Sequence, residues 1–125
     1  MLLGVGHLDD RAVAERLADR IAGLRIFPDS DGRMNLSVSD VGGSVLCVSQ
    51  FTLHGDVRRG RRPSFEAAAK PDVAEALYTD FCRAMEREKL VCERGEFGAH
   101  MEVQMVNDGP VTIWIDSEEL SRPRR

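Results

Sequence analysis

The chain has 125 residues, 42% hydrophobic and 30% charged, with a formal net charge of −4. That is the size and balance of one soluble globular domain built on one core. It excludes a bilayer-spanning helix, which needs about 20 consecutive apolar residues, and a general nucleic-acid coat, which would be basic, so any RNA contact must be local.

Met1 to Gly6 is apolar, with no basic segment ahead of it and Asp9-Asp10 directly behind. It makes a poor signal peptide and reads as a buried strand. Asp9 is placed to cap a helix over residues 9 to 22, in which Val13, Leu17, Ile21 and Leu24 recur at helical spacing. Leu24 to Phe27 reads as a short strand ended by Pro28, Asp29 to Gly32 as a turn, and Met34 to Val38 as the second arm of a hairpin. After Asp40-Val41-Gly42-Gly43, the run Val45-Leu46-Cys47-Val48 suits a central strand covered on both faces. The loop from 54 to 63 holds Arg58-Arg59-Gly60-Arg61-Arg62, the one strongly basic cluster; a weaker one is the tail Arg122 to Arg125. Ser64 is placed to cap a short helical turn through Ala69.

Pro71 suits a helix start, and Val73, Leu77, Phe81 and Met85 mark the buried stripe of a helix ending near Lys89. Strands are expected at Leu90 to Glu93, His100 to Val106 and Val111 to Ile115, with a turn at Asn107-Asp108-Gly109-Pro110. The order predicts an α+β fold: a β-rich mixed sheet, barrel-like, with helices packed on one side. Residues 1–116 form the expected domain and 117–125 a tail. Cys47, Cys82 and Cys92 are odd in number and not closely spaced, which argues against a disulfide framework or a zinc site. They read as free core thiols in a reducing, cytoplasmic compartment.

Two segments carry the chemistry. Ser49-Gln50-Phe51-Thr52-Leu53 puts two hydroxyls and an amide at the end of a buried run, although such residues often only cap a strand. Asn107 to Thr112 holds a Gly-Pro bond; only about 5–6% of such bonds are cis in folded proteins, and a cis form would turn its flanking carbonyls the same way. No metal or cofactor is expected. His7 and His100 lack partners at ligand spacing, Gly4 and Gly6 are too few for a nucleotide fingerprint, and Asp29, Asp31 and Gly32 lack the later glutamate of a calcium loop.

Taken in this order, with Arg61-Arg62-Pro63-Ser64-Phe65 between them, the two segments resemble the D-aminoacyl-tRNA deacylase family, first described as D-tyrosyl-tRNA deacylases. Leu24-Arg25-Ile26-Phe27, Gly32-Arg33-Met34-Asn35, Val41-Gly42-Gly43 and Phe97-Gly98-Ala99 match in register, so the likeness runs from about Leu3 to Asp116. It implies an ester hydrolase acting on D-aminoacyl-tRNA, and on glycyl-tRNA mischarged on tRNA(Ala). Ser49, Gln50, Phe51 and Thr52 would line the pocket for the aminoacyl 3′ end. Gly109 and Pro110 would enter the pocket of the partner subunit in a homodimer and reject L-amino acids. Phe65 and Met101 would be pocket walls, and Arg61 and Arg62 would meet the terminal tRNA phosphates.

No histidine or lysine is evidently placed to activate Thr52; His54, two residues on, stands at a loop start where a solvated residue is usual. The family is read as using no side-chain nucleophile: backbone N–H groups around Phe51 and Thr52 hold the ester and the terminal 2′-hydroxyl assists. Family members usually open with a further β-hairpin bearing Gln-Arg-Val. This chain is expected to start inside the next strand, through a late start assignment or a true truncation. The alternative to an active deacylase is therefore a non-catalytic homologue that keeps dimerisation or RNA binding, and a third reading is a small esterase with Thr52 as nucleophile.

Overall fold

The computed structural model describes residues 1–124, so Arg125 of the basic tail lies outside the described residues. The main sheet has three strands, β1 (Leu2–Leu3), β4 (Val45–Ser49) and β5 (Cys92–Arg94), in the order β1-β4-β5 and all parallel. A separate antiparallel pair is formed by β2 (Phe27–Pro28) and β3 (Met34–Leu36). Helix α1 (Arg11–Ala22) lies between β1 and β2, α2 (Pro71–Arg87) joins β4 to β5, and a short α3 (Ser117–Leu120) follows near the C-terminus. The fold is a mixed α+β domain, but no closed barrel forms among the described residues. Helical crossovers bring successive strands back in the same direction, which gives parallel pairing instead of the expected hairpin-linked sheet.

Each helix starts from a local signal. Asp10, not Asp9, caps α1: its carboxylate accepts from the Val13 N–H at 2.8 Å. Asp9 turns back instead, and its Oδ2 accepts from the Gly6 N–H at 2.8 Å. The buried face of α1 is Ala14, Ala18 and Ala22, with Leu17 and Ile21 only partly buried at its flank. Small side chains at i, i+4 and i+8 let α1 lie close against α2, so the larger residues predicted as the stripe are displaced to the edges. In α2 Pro71 stands at the first turn as expected, and Ala74, Leu77, Tyr78, Phe81, Cys82, Ala84 and Met85 are buried. Val73 is off that face and 43% exposed. The helix ends at Arg87, and Lys89 takes a φ of 61°, a left-handed stop.

The core joins α1, α2 and the inner side of the sheet, with Phe81, Met85, Cys47 and Cys82 its largest fully enclosed side chains. Tyr78 crosses this layer and donates its hydroxyl hydrogen to the Cys47 carbonyl at 2.7 Å. Cys47 and Val48 are buried, but Leu46 just before them is 46% exposed, so the central strand is not covered on both faces.

Several predicted elements are shorter or absent. Only Phe27 of the 24–27 strand enters a ladder, Pro28 lies inside β2 opposite Met34, and β3 stops at Leu36. Residues 64–69 form no helix; Ser64 pairs with Asp56 in an isolated bridge. The strand expected at Leu90 to Glu93 begins at Cys92. Neither 100–106 nor 111–115 forms a strand, and Val103, Met105, Val106, Ile113 and Trp114 are exposed along them. Alternation suits these segments to a ladder, but a ladder needs a neighbour whose backbone groups are free, and neither segment joins a sheet among the described residues. None of the helices among the described residues is long and apolar enough to cross a membrane.

Candidate functional site

The site grows from the end of β4. Ser49 is its last residue, paired with Leu3 of β1, and the Gln50 N–H continues the pairing to the Leu3 carbonyl at 2.8 Å. The chain then leaves the sheet and coils into a single 3₁₀ turn, Phe51–His54. The first N–H groups of such a turn have no preceding carbonyl of the turn to bond, so the Phe51 and Thr52 amides open toward its entry. Gln50 Nε2 donates to Thr52 Oγ1 at 2.5 Å, locking amide and hydroxyl together.

Thr52 is exposed, and its described side-chain partner is an amide donor, not a base. His54 is not the solvated loop residue expected, nor does it share a strand face with Thr52. It is half-buried, and its ring lies over two glycines: a Cβ at Gly4 would come within 3.2 Å of it and one at Gly6 within 3.3 Å. Residues two apart on an extended chain face the same way. The spacing of Gly4 and Gly6 was therefore a readable sign that something packs on bare backbone there.

The basic loop is docked beside this turn. Asp56 and Ser64 exchange both backbone hydrogen bonds, at 2.7 and 2.9 Å, and close residues 57–63 into a loop with Gly60 at a φ of 69°. Asp56 also accepts from the Arg58 guanidinium at 2.6 Å and from the Arg58 N–H at 2.9 Å. These hydrogen bonds pull the Asp56 carboxyl down to about 2. Arg58 is thus spent inside the loop, while Arg59, Arg61 and Arg62 are exposed and enter none of the ion pairs among the described residues. Just after the bridge, Phe65 meets Phe51 edge-on, with ring centroids 5.1 Å apart and planes at 74°. The clamp of Asp56 on Arg58 and Ser64 escaped the sequence reading, because it depends on a turn geometry that composition does not encode.

The structure therefore brings Ser49, Gln50, Phe51, Thr52, Phe65 and the loop bearing Arg61 and Arg62 onto one open platform. Met101 lies near the same end of the sheet: its Sδ sits 2.8 Å from where a Cβ on Gly95 would stand, beside Val48. Gly109 and Pro110 are not brought to this platform by any described contact. Their peptide is cis and both are exposed. The neighbours of Gly109 are atoms of Val111, and Asn107 Nδ2 donates to Thr112 Oγ1 at 3.4 Å across the turn. A shallow hollow lined by Asp72, Glu75, Thr79 and Arg83 lies on α2 and shares no residue with the platform. No cluster of three or more metal-ligating side chains occurs among the described residues.

The profile of the D-Tyr-tRNA(Tyr) deacylase family matches residues 1–116. The chain belongs to this family. A D-aminoacyl-tRNA deacylase of Symbiobacterium thermophilum is 57% identical over 119 residues, covering 95% of this chain and 79% of that protein. One of Thermotoga petrophila is 56% identical over 120 residues, with 96% and 80% covered. Among solved structures, one titled c-Myc DNA Unwinding Element Binding Protein superposes with a TM-score of 0.81 at 40% identity, covering 90% of this chain and 76% of that one. A probable eukaryotic D-amino acid tRNA deacylase shares the fold at a TM-score of 0.56 and 21% identity.

Proposed function

We propose that the chain hydrolyses the ester bond of D-aminoacyl-tRNA, and of glycyl-tRNA mischarged on tRNA(Ala), releasing the free amino acid and tRNA in the cytoplasm. The observation that carries this reading is the docking of the arginine loop on the 3₁₀ turn through Phe51 and Phe65, which sets cationic side chains beside an uncommitted pair of backbone amides. Arg61 and Arg62 meet the terminal phosphates of the tRNA. Gln50 and Thr52 orient the ester, and the Phe51 and Thr52 N–H groups stabilise the oxyanion as water adds to the carbonyl. The terminal 2′-hydroxyl of the tRNA assists, and Thr52 is not itself the nucleophile. Two copies pair as a homodimer in which Gly109 and Pro110 of one protomer meet the pocket of the other, with Phe65 and Met101 as walls. A carbonyl that clashes with the L-form separates enantiomers without recognising any one D side chain.

The test is release of amino acid from D-tyrosyl-tRNA, L-tyrosyl-tRNA and glycyl-tRNA(Ala) by the full chain. Turnover of the first and third with the second spared is expected. Equal hydrolysis of both tyrosyl enantiomers would remove the rejection role of Gly109-Pro110, and no hydrolysis at all would favour a homologue that only binds. In the same assay Thr52→Ala retains turnover, reduced about fivefold for a lost hydrogen bond worth about 1 kcal/mol. Abolished turnover with a trappable acyl-enzyme would restore Thr52 as nucleophile.

A further inference from the structure

The three cysteines, scattered in sequence, share one core: Cys47 and Cys82 are buried in it and Cys92 packs against its edge. All are free thiols. In the parallel pairing of β4 with β5, Val45 lies opposite Cys92. Cys47, two residues beyond Val45, therefore presents its side chain on the same face as Cys92. Helix α2 packs on both strands and brings Cys82 into the core cluster that buries Cys47, with Cys92 packed against the same cluster. Cys47 and Cys82 are 0% exposed, whereas Cys92 is half-buried at the edge of the cluster. Beside it Arg94 of β5 binds Glu86 of α2 at 2.6 Å, so the two elements are already held together at this point. The deacylase mechanism uses none of these sulfurs.

We propose that Cys92 and Cys82 are a redox couple that a hydroperoxide converts to a disulfide tying β5 to α2. Cys92 is the entry point because it alone of the three reaches the surface. Cys82 is the resolving thiol because it lies on the buried side of the same cluster, on the helix that packs against β5. Burial raises the Cys92 thiol pKa and the charge of Arg94 opposes that rise, so it is the minor thiolate form at the exposed edge that meets the oxidant.

The Cys92 sulfur then attacks a peroxide oxygen. The O–O bond breaks, an alkoxide or hydroxide leaves and takes up one thiol proton, and a sulfenic acid remains. The Cys82 thiolate attacks that sulfur; the S–S bond forms as the S–O bond breaks, and hydroxide leaves and takes the second proton as water. Two thiols are oxidised and one hydroperoxide is reduced to alcohol (or water) and water.

The experiment treats the full chain with a few equivalents of hydrogen peroxide, blocks remaining thiols, digests without reductant and reads the peptides by mass. A peptide pair joined through Cys82 and Cys92, two hydrogens lighter than its parts and separated by dithiothreitol, is expected, with Cys47 recovered alkylated. Cys47→Ala keeps the link. Cys82→Ala loses it and leaves Cys92 as a sulfenic acid trapped by dimedone. Cys92→Ala, which alters only a half-exposed position, leaves Cys82 unoxidised at the same dose. A link through Cys47, over-oxidation of Cys92 without any link in the unaltered chain, or oxidation of Cys82 in Cys92→Ala at the original rate overturns the proposal.

Discussion

Asp56 joins two parts of one loop: its backbone holds Ser64 and its carboxylate holds Arg58. Its pKa lies near 2, below an ordinary value of 3.8, because Arg58 hydrogen-bonds the charged form. A depressed carboxyl contributes fully above its unfolded pKa and loses that contribution as pH falls through the folded value. The clamp should therefore persist through mild acid and open only as pH approaches about 2. Carbon-13 NMR titration of the Asp56 carboxyl checks this. A midpoint near 2 is expected, rising toward the ordinary value in Arg58→Ala, and an ordinary midpoint in the unaltered chain would show that the pair does not form. Ser49 to Thr52 could be picked out from sequence, since hydroxyls and an amide following an apolar run stand out against it. The Asp56–Arg58 pair could not, because carboxylate and guanidinium two residues apart meet only if the backbone bends between them.

At the scale of elements, the two long helices were legible because their apolar residues repeat every three to four positions and Pro71 stands at the start of one, although the cap of the other, expected at Asp9, is Asp10. Which face of α1 would be buried was not. Bulk favours Val13 and Leu17 as core residues, but the contact with α2 is made by Ala14, Ala18 and Ala22. Closeness of two helices selects for small residues, a requirement visible only once the partner is known. Ala18 is 0% exposed, so Ala18→Leu forces extra methylenes into a filled seam, at a cost of about 1–3 kcal/mol. A fall in the thermal midpoint of about 5 °C or more is expected by circular dichroism. An unchanged midpoint would mean that the helices do not approach as described. The strands were harder to read, since β1 and β2 have two residues each and residues 100–115 alternate like a strand without a ladder to join.

At the scale of the molecule, the outstanding feature is apolar surface. Val103, Met105, Val106, Ile113 and Trp114 are 47–90% exposed along one stretch of chain. Exposed apolar side chains gathered in one segment mark an interaction surface, which is the physical argument for the proposed homodimer. Trp114 is the single tryptophan and reports on its own surroundings. Sedimentation should show a dimer at micromolar concentration, and dilution to the monomer should red-shift Trp114 emission and raise its quenching by acrylamide. A monomer at every concentration, with tryptophan freely quenched throughout, would remove the dimer and with it the cross-protomer filter.

The His54 ring resting on Gly4 and Gly6 sets how far the recognition turn stands from the first strand. The gauge is an absence, a methyl group that neither glycine carries. One change on β1's trailing end would thus shift the Phe51 and Thr52 amides, the proposed oxyanion donors, by a few tenths of an ångström, leaving every side chain of the proposed site as it was. Fine tuning of the proposed centre would then be recorded at a position with no side chain of its own to implicate it.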